Sequence, residues 1–260
     1  MLREPEADSA NLAFQNPAFQ ADVLRGLGQS SKAIPARWFY DDAGSALFEA
    51  ITQLPEYYPT RVESGILEAS ARARLPASIA GLPKLGFFPG STIGNLAPAA
   101  AVDLLRAMRA TLGEAVAGRP GMLLIGKDRV KPADVLTRAY DDVAGVTAAF
   151  NLNLAARINR ELGGTIPLDA LRHRAVWNAD MSRIEMHLQA TRAIRFTVAD
   201  HDFAMAAGET THTENSHKYD PPTATTVLIA GGWTPVARFT DAEERFMVVV
   251  AEAQPSRLEP

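Results

Sequence analysis

The chain has 260 residues, 47% of them hydrophobic and 22% charged, which suffices for one large domain or two small ones with a full core. A net charge of -4 with scattered Lys and Arg gives no basic stripe to neutralise phosphates, so nucleic acid is not an expected partner. The lack of cysteine excludes disulfides, thiolate metal sites and a cysteine nucleophile. No apolar run approaches the roughly 20 residues that span a bilayer, so no membrane partner is expected. The opening MLREPEADSA is acidic where a secretory signal is basic and then apolar, and a cytoplasmic protein is expected.

Taken in chain order, AFQADVLRGL (18–27) and GSALFEAITQL (44–54) have helical spacing, and Leu47, Phe48, Ile51 and Leu54 form one apolar stripe. Pro55 stops the second helix, and the following PEYYP cannot be regular helix, so two tyrosines sit on a constrained loop. A third helix is predicted over 62–74, and LPASIAGLP is a breaker-rich connection. KLGFF (84–88) and GMLLIG (121–126) read as strands around a helix after Pro98 carrying Val102, Leu105, Met108 and Leu112. Together they make one βαβ unit with two parallel strands.

After Pro132 the pattern predicts a short helix and then a longer one over 145–162 with Phe150, Leu154 and Ile158 inward. HRAVWN, RIEMHLQAT and AIRFTVAD alternate and suggest a three-stranded antiparallel meander with one wet face. A helix near 221–230 and a final strand pair around VARFT and FMVVVAEA close the chain.

Two segments stand out chemically. HTENSHKY (212–219) sets Thr, Glu, Asn, Ser, His and Lys side by side and reads as a solvated loop or as a polar site, with composition favouring the loop. GSTIGN (90–95) ends a strand with two glycines, and Asn95 offers an acceptor and two donors at the usual ligand edge. Its other reading is a turn in which Asn95 caps the next helix. The five histidines form no HxxxH or HExxH pair, and no metal site is expected. Ser91 and Ser216 have no sequence sign of an activating base. Tyr40, Tyr57, Tyr58 and Tyr140 each neighbour acidic or turn residues, where a tyrosine often buries its ring and aims its hydroxyl at a ligand.

Five blocks in order, WFYDDAGSALFEAITQLPEYYPTR, FFPGSTIGN, AYDDVAGVTAAFNLNLAARINREL, HRAVWN with SRIEMHL, and HTENSHKY, resemble the histidine-specific α-N-methyltransferases of ergothioneine biosynthesis. The resemblance implies S-adenosylmethionine as methyl donor and free L-histidine as acceptor, trimethylated on its α-amine. It implies an α/β fold with a class I Rossmann-like methyltransferase sheet and an α+β substrate domain. The substrate domain would comprise 1–61 and 131–218, and the methyltransferase domain 62–130 and 219–260. By the same likeness Tyr57, Glu214 and Ser216 contact the imidazole, and Asn95 and Tyr140 hold the substrate carboxylate with neutral groups. Tyr40, Phe150, Asn151 and Met186 fall in matching blocks as further pocket candidates.

The likeness has a gap. The family carries strands 1 to 3, with a glycine loop and a ribose-binding acidic residue, between the third helix and KLGFF; here roughly 60 to 70 residues are missing at that point. Gly90 and Ser91 are then the residues left to border the cofactor. In the class I order 3-2-1-4-5-7-6, KLGFF is strand 4, and without strands 1 to 3 it becomes an edge open to self-association. The rival readings are a non-catalytic histidine or methylhistidine binder and a decayed member that pairs with an intact homologue.

Overall fold

The computed structural model describes residues 16–74, 84–112 and 119–255. The opening MLREPEADSA and the connection LPASIAGLP, where the sequence places its gap, lie outside the described residues. The helices are α1 (Pro17–Leu27), α2 (Asp42–Thr52), α3 (Pro59–Arg74), α4 (Pro98–Leu112), α5 (Ala133–Arg138), α6 (Val146–Leu162) and α7 (Pro221–Ala230). The strands are β1 (Leu85–Phe88), β2 (Met122–Asp128), β3 (Leu171–Asn178), β4 (Arg183–Ala190), β5 (Ile194–Val198), β6 (His201–Met205), β7 (Thr210–His217), β8 (Trp233–Thr240) and β9 (Phe246–Ala253). No helix among the described residues is long and apolar enough to cross a membrane.

The chain divides into two compact units. The first holds Met1–Leu47, Ala148–Arg174 and His187–Thr213, and the second Phe48–Thr147, Ala175–Met186 and Glu214–Pro260.

In the first unit, α1 begins where Asn16 accepts from the amides of Ala18 and Phe19, with proline at the first helical position. Phe19, Val23 and Leu27, four apart, form its buried stripe. Phe150, Leu154 and Ile158 repeat that spacing on α6, and the Phe39 and Phe150 rings meet at 4.6 Å. Strands β5 and β6 pair antiparallel through Ala199 and Asp200, both at positive φ, as a tight two-residue hairpin turn requires. The expected three-stranded meander is therefore corrected. AIRFTVAD turns back on HDFAM, while β3 and β4 join β7 in the order β3-β4-β7.

The second unit carries a four-stranded sheet in the order β1-β2-β9-β8. β1 and β2 run parallel, with Leu85 opposite Met122 and Phe88 opposite Ile125, and β9 is antiparallel to both β2 and β8. Read with β1 as strand 4, this is the 4-5-7-6 half of the class I order, with its single reversed strand. Alternation along β9 sends Met247, Val249 and Ala251 into a core with Leu105 of α4 and Leu228 of α7. It sends Phe246 and Val248 toward Ile66 of α3. Leu105 is wholly buried, worth about 1.5–3 kcal/mol relative to exposure. Among the described residues β1 pairs with β2 alone, and its Leu85 and Phe87 are 52% and 58% exposed.

Candidate functional site

The second unit gathers side chains from five separate stretches: the start of α3, the turn after β1, the end of β2, the segment after α5 and the end of β7. The PEYYP loop is stapled by Arg61, whose guanidinium donates to the carbonyls of Leu54, Pro55 and Tyr57. Tyr57 is thereby held buried, edge-on to the ring of Tyr140 at 6.2 Å between centroids. Its neighbour Tyr58 donates to Asp128 Oδ2 at 2.7 Å.

HTENSHKY is a strand, which corrects the expectation of a solvated loop: Thr210–His217 is β7, and Thr213, Glu214, Ser216, His217 and Lys218 are buried. Composition misled because Glu214, Ser216 and Lys218 find partners far away in sequence. Glu214, Ser216 and Lys218 are two residues apart, so the pleat sends all three to one side. Glu214 Oε1 accepts from Asn95 Nδ2 at 2.9 Å, and Ser216 Oγ lies 2.7 Å from Tyr140 Oη. Lys218 Nζ donates to both hydroxyls at 2.8 Å and pairs with Asp128 Oδ2 at 2.8 Å.

Asn95 reaches Glu214 because the turn Thr92–Asn95 lies against the β7 backbone. A Cβ on Gly94 would stand 2.7 Å from the carbonyl oxygen of His217, so only glycine permits that approach. Asn95 does not cap the next helix, which starts at Pro98.

Burial pushes the Glu214 carboxyl up to about 7, the nearby Lys218 only partly offsetting it. Asp128 goes the other way: burial alone would raise it, but Lys218 and Lys131 outweigh that and hold it below the ordinary range. Burial raises Tyr57 and Tyr140 well above the usual phenol, so both stay protonated. Lys131 adds bonds to Asp128 Oδ1 at 2.5 Å and Tyr58 Oη at 2.6 Å.

All five principal sequence candidates, Tyr57, Asn95, Tyr140, Glu214 and Ser216, thus belong to one unit and join one polar cluster. Buried Met186, on β4, belongs to that unit as well. Tyr40, Phe150 and Asn151 belong to the first unit. There the rings of Tyr40 and Phe150 lie 5.8 Å apart, and Asn151 binds Thr213 Oγ1, His173 Nδ1 and the His187 carbonyl. Sequence reading named Tyr58 among the tyrosines without carrying it into the site, and it missed Asp128, Lys131 and Lys218. The visible signal was the pair Lys127–Asp128 ending an apolar strand, and the lysine within HTENSHKY. The expectation of neutral surroundings at Tyr140 is not met, since the Lys218 ammonium touches its hydroxyl.

Gly90 and Ser91, the two residues expected to border the cofactor, have their polar groups engaged within the protein. The Gly90 amide donates to Glu63 Oε2 at 2.6 Å, and Ser91 Oγ accepts from the Asp128 amide at 2.8 Å. Glu63 Oε1 occupies the space that a Cβ on Gly126 would need, 1.8 Å away. Burial raises the Glu63 carboxyl above its ordinary range. Among the described residues no glycine-rich loop precedes β1.

A mixed sheet whose described strands follow the 4-5-7-6 order, with a polar cluster at the carboxyl ends of its two parallel strands, has the strand arrangement of class I methyltransferases. The histidine-specific, S-adenosylmethionine-dependent methyltransferase family matches at residues 19–81 and 71–253, and the chain belongs to that family. Its members are S-adenosylmethionine-dependent enzymes. A histidine N-alpha-methyltransferase of Mycolicibacterium smegmatis is 35% identical over 309 residues, covering 90% of this chain and 94% of the relative. One from Mycobacterium tuberculosis is 34% identical over the same shares. Among solved structures, the CcbJ methyltransferase of Streptomyces caelestis is 14% identical with a TM-score of 0.34, covering 69% of this chain and 61% of that one.

Proposed function

We propose that this chain binds free L-histidine through the Tyr57, Asn95, Tyr140, Glu214 and Ser216 cluster and acts on its α-amino group, with N,N,N-trimethylhistidine as product. S-adenosylmethionine is the methyl donor of the family. The observation that carries the reading is the paired geometry of the cluster: a carboxylate bonded to an amide at 2.9 Å, and two hydroxyls bonded at 2.7 Å. An imidazole has two ring nitrogens, so a carboxylate that accepts from one and a hydroxyl that serves the other distinguish histidine from apolar isosteres. Asn95 and Tyr140 hold the substrate carboxylate, now with the Lys218 charge behind Tyr140. The α-amine must be neutral to attack, so the contribution expected of the protein is position, with a tyrosine or water taking the proton.

A second reading, a histidine or methylhistidine binder without turnover, is favoured by the engagement of Gly90 and Ser91 with Glu63 and Asp128. We attribute that engagement to loss of strands 1 to 3 near residues 71–81, where the two family matches meet. A relative alignment of 309 residues against a chain of 260 supports the same gap. A third reading, pairing with an intact homologue through β1, rests on the exposed edge.

Titration calorimetry with L-histidine and with S-adenosylmethionine, followed by mass spectrometry of a mixture of both, tests the set. Binding of both with stepwise gain of methyl groups supports catalysis; histidine alone supports the binder. Binding of neither overturns the proposal.

A further inference from the structure

We infer that Glu63 is a positioning residue that sets Asn95 against Tyr57, tying the turn that carries the one to the helix that holds the other. The inference rests on the reading of L-histidine as ligand, in which Asn95 takes the carboxylate and Tyr57 the ring.

Glu63 lies in the opening turns of α3, the helix that begins directly after Tyr57 and Tyr58. Ile66 fixes α3 on the sheet by packing with Phe246 and Val248, and Arg61 reaches back from the same helix to hold the Tyr57 loop. Glu63, 4% exposed, reaches across to the turn after β1, where its Oε2 accepts from the Gly90 amide at 2.6 Å. One helix therefore supplies an anchor to each half of the pocket.

The turn from Gly90 to Asn95 is braced along its length. Thr92 Oγ1 donates to the Pro89 carbonyl at 3.1 Å, the Gly94 amide to the Ser91 carbonyl at 2.8 Å, and the Leu96 amide to the Ile93 carbonyl at 3.3 Å. A displacement at Gly90 is thus carried through to Asn95. Gly90 and Ser91 both stand at positive φ, 76° and 54°, and the second is an uncommon conformation for a residue with a Cβ. Such a pair keeps its shape where outside contacts fix it. Glu63 provides that contact at Gly90, and the Asp128 amide provides it at Ser91 Oγ.

Packing alone does not account for the carboxyl. Its Oε1 has no hydrogen-bond partner among the described residues and lies 1.8 Å from where a Cβ on Gly126 would stand, in a space that the Phe246 ring also borders. Burial raises the group above its ordinary range, and the Gly90 amide only partly offsets that. An apolar side chain would fill the same space at lower cost. What the carboxyl adds is the bond to Gly90.

The test is a double-mutant cycle read by titration calorimetry with L-histidine. Glu63→Ala should weaken binding about tenfold, the loss of about one hydrogen bond. In an Asn95→Ala background, where the carboxylate has already lost its partner, the same substitution should cost nothing further. Glu63→Gln keeps an oxygen for the Gly90 amide and should restore wild-type affinity. Gly126→Ala is an independent arm: its methyl pushes the flexible end of Glu63 aside while the carboxyl stays in the chain, and it should weaken binding in the wild-type background and not in Asn95→Ala. Losses that add across the cycle, as a general loosening of the fold would give, overturn the inference, and so does unchanged affinity in a folded Glu63→Ala. Should Glu63→Ala not fold by circular dichroism, the Gly126→Ala arm decides by the same comparison. A wild-type protein that does not bind L-histidine overturns the ligand reading and this inference with it, an outcome distinct from additive losses in a protein that binds.

Discussion

Lys218 and Asp128 form an ion pair at 2.8 Å with both side chains out of water, 0% and 1% exposed. Such a pair survives burial only when the remaining protons and lone pairs are used. Here Lys131, Tyr58 and the Arg129 amide complete Asp128, and Tyr140 and Ser216 complete Lys218.

Asp128→Asn should therefore destabilise the protein by about 3–5 kcal/mol, because it leaves two buried ammonium groups facing a neutral amide. The pH dependence has a definite sign. The folded Asp128 carboxyl is lowered, so its stabilisation is present above the unfolded value of about 3.9 and is lost as pH falls through the folded value. Urea titrations across the acid range should show this limb in the wild type and lose it in the variant; equal midpoints for the two at neutral pH would refute the expectation.

Glu214 carries the opposite sign. Its folded carboxyl sits at about 7, so between the unfolded value near 4.3 and that value the native state binds the extra proton and stability declines as pH rises. Above that window the charged form costs roughly 3 kcal/mol. Glu214→Gln keeps an oxygen for Asn95 and removes the charge. It should be more stable than wild type near pH 8 and equal to it near pH 4, while histidine affinity falls by about 1–3 kcal/mol. Paired thermal melts and calorimetry check both halves, and a Gln variant that is no more stable at the higher pH would show that the carboxyl is not strained by burial.

How far the sequence could be read depended on where each residue's partner lies. Phe19, Val23 and Leu27, or Phe150, Leu154 and Ile158, advertise their helices because the apolar stripe is local to the segment. The order β1-β2-β9-β8 follows from the family likeness, and periodicity alone does not supply it. β7 was not legible as a buried strand, because what permits Glu214, Ser216 and Lys218 to be buried is Asn95, Tyr140 and Asp128, from 76 to 119 residues away and 90 residues before Lys218 in the case of Asp128. The β5–β6 hairpin was missed because its turn is Ala199-Asp200, both at positive φ without a glycine.

Gly94→Ala probes how the turn after β1 aims Asn95. The added methyl would meet the backbone oxygen of His217 at 2.7 Å, and backbone cannot swing aside as a side-chain tip can. The turn must lift from β7 and take Asn95 off Glu214. A stability loss of about 1–3 kcal/mol is expected, together with weaker histidine binding; wild-type affinity in a folded variant would detach Asn95 from the ligand.

The edge of β1 yields the last expectation. Gly86 lies between Leu85 and Phe87, 52% and 58% exposed, on a strand bonded on one side only among the described residues. A second copy of the chain can pair there, which is the fate of an unprotected apolar edge. The strand is only four residues long, so at most a few backbone bonds of about 0.5–1.5 kcal/mol each are available. Burying a phenylalanine from each copy adds about 1.5–3 kcal/mol apiece. Against an association cost of about 4–15 kcal/mol, that balance supports a weak dimer and no more. Sedimentation velocity should accordingly show a monomer at low micromolar protein and a rising weight-average coefficient toward about millimolar protein. Phe87→Lys, which puts a charge on the edge, should abolish the rise while leaving histidine affinity as it was. A wild-type coefficient that stays flat over the whole series would mean that β1 is not a docking edge for a second copy.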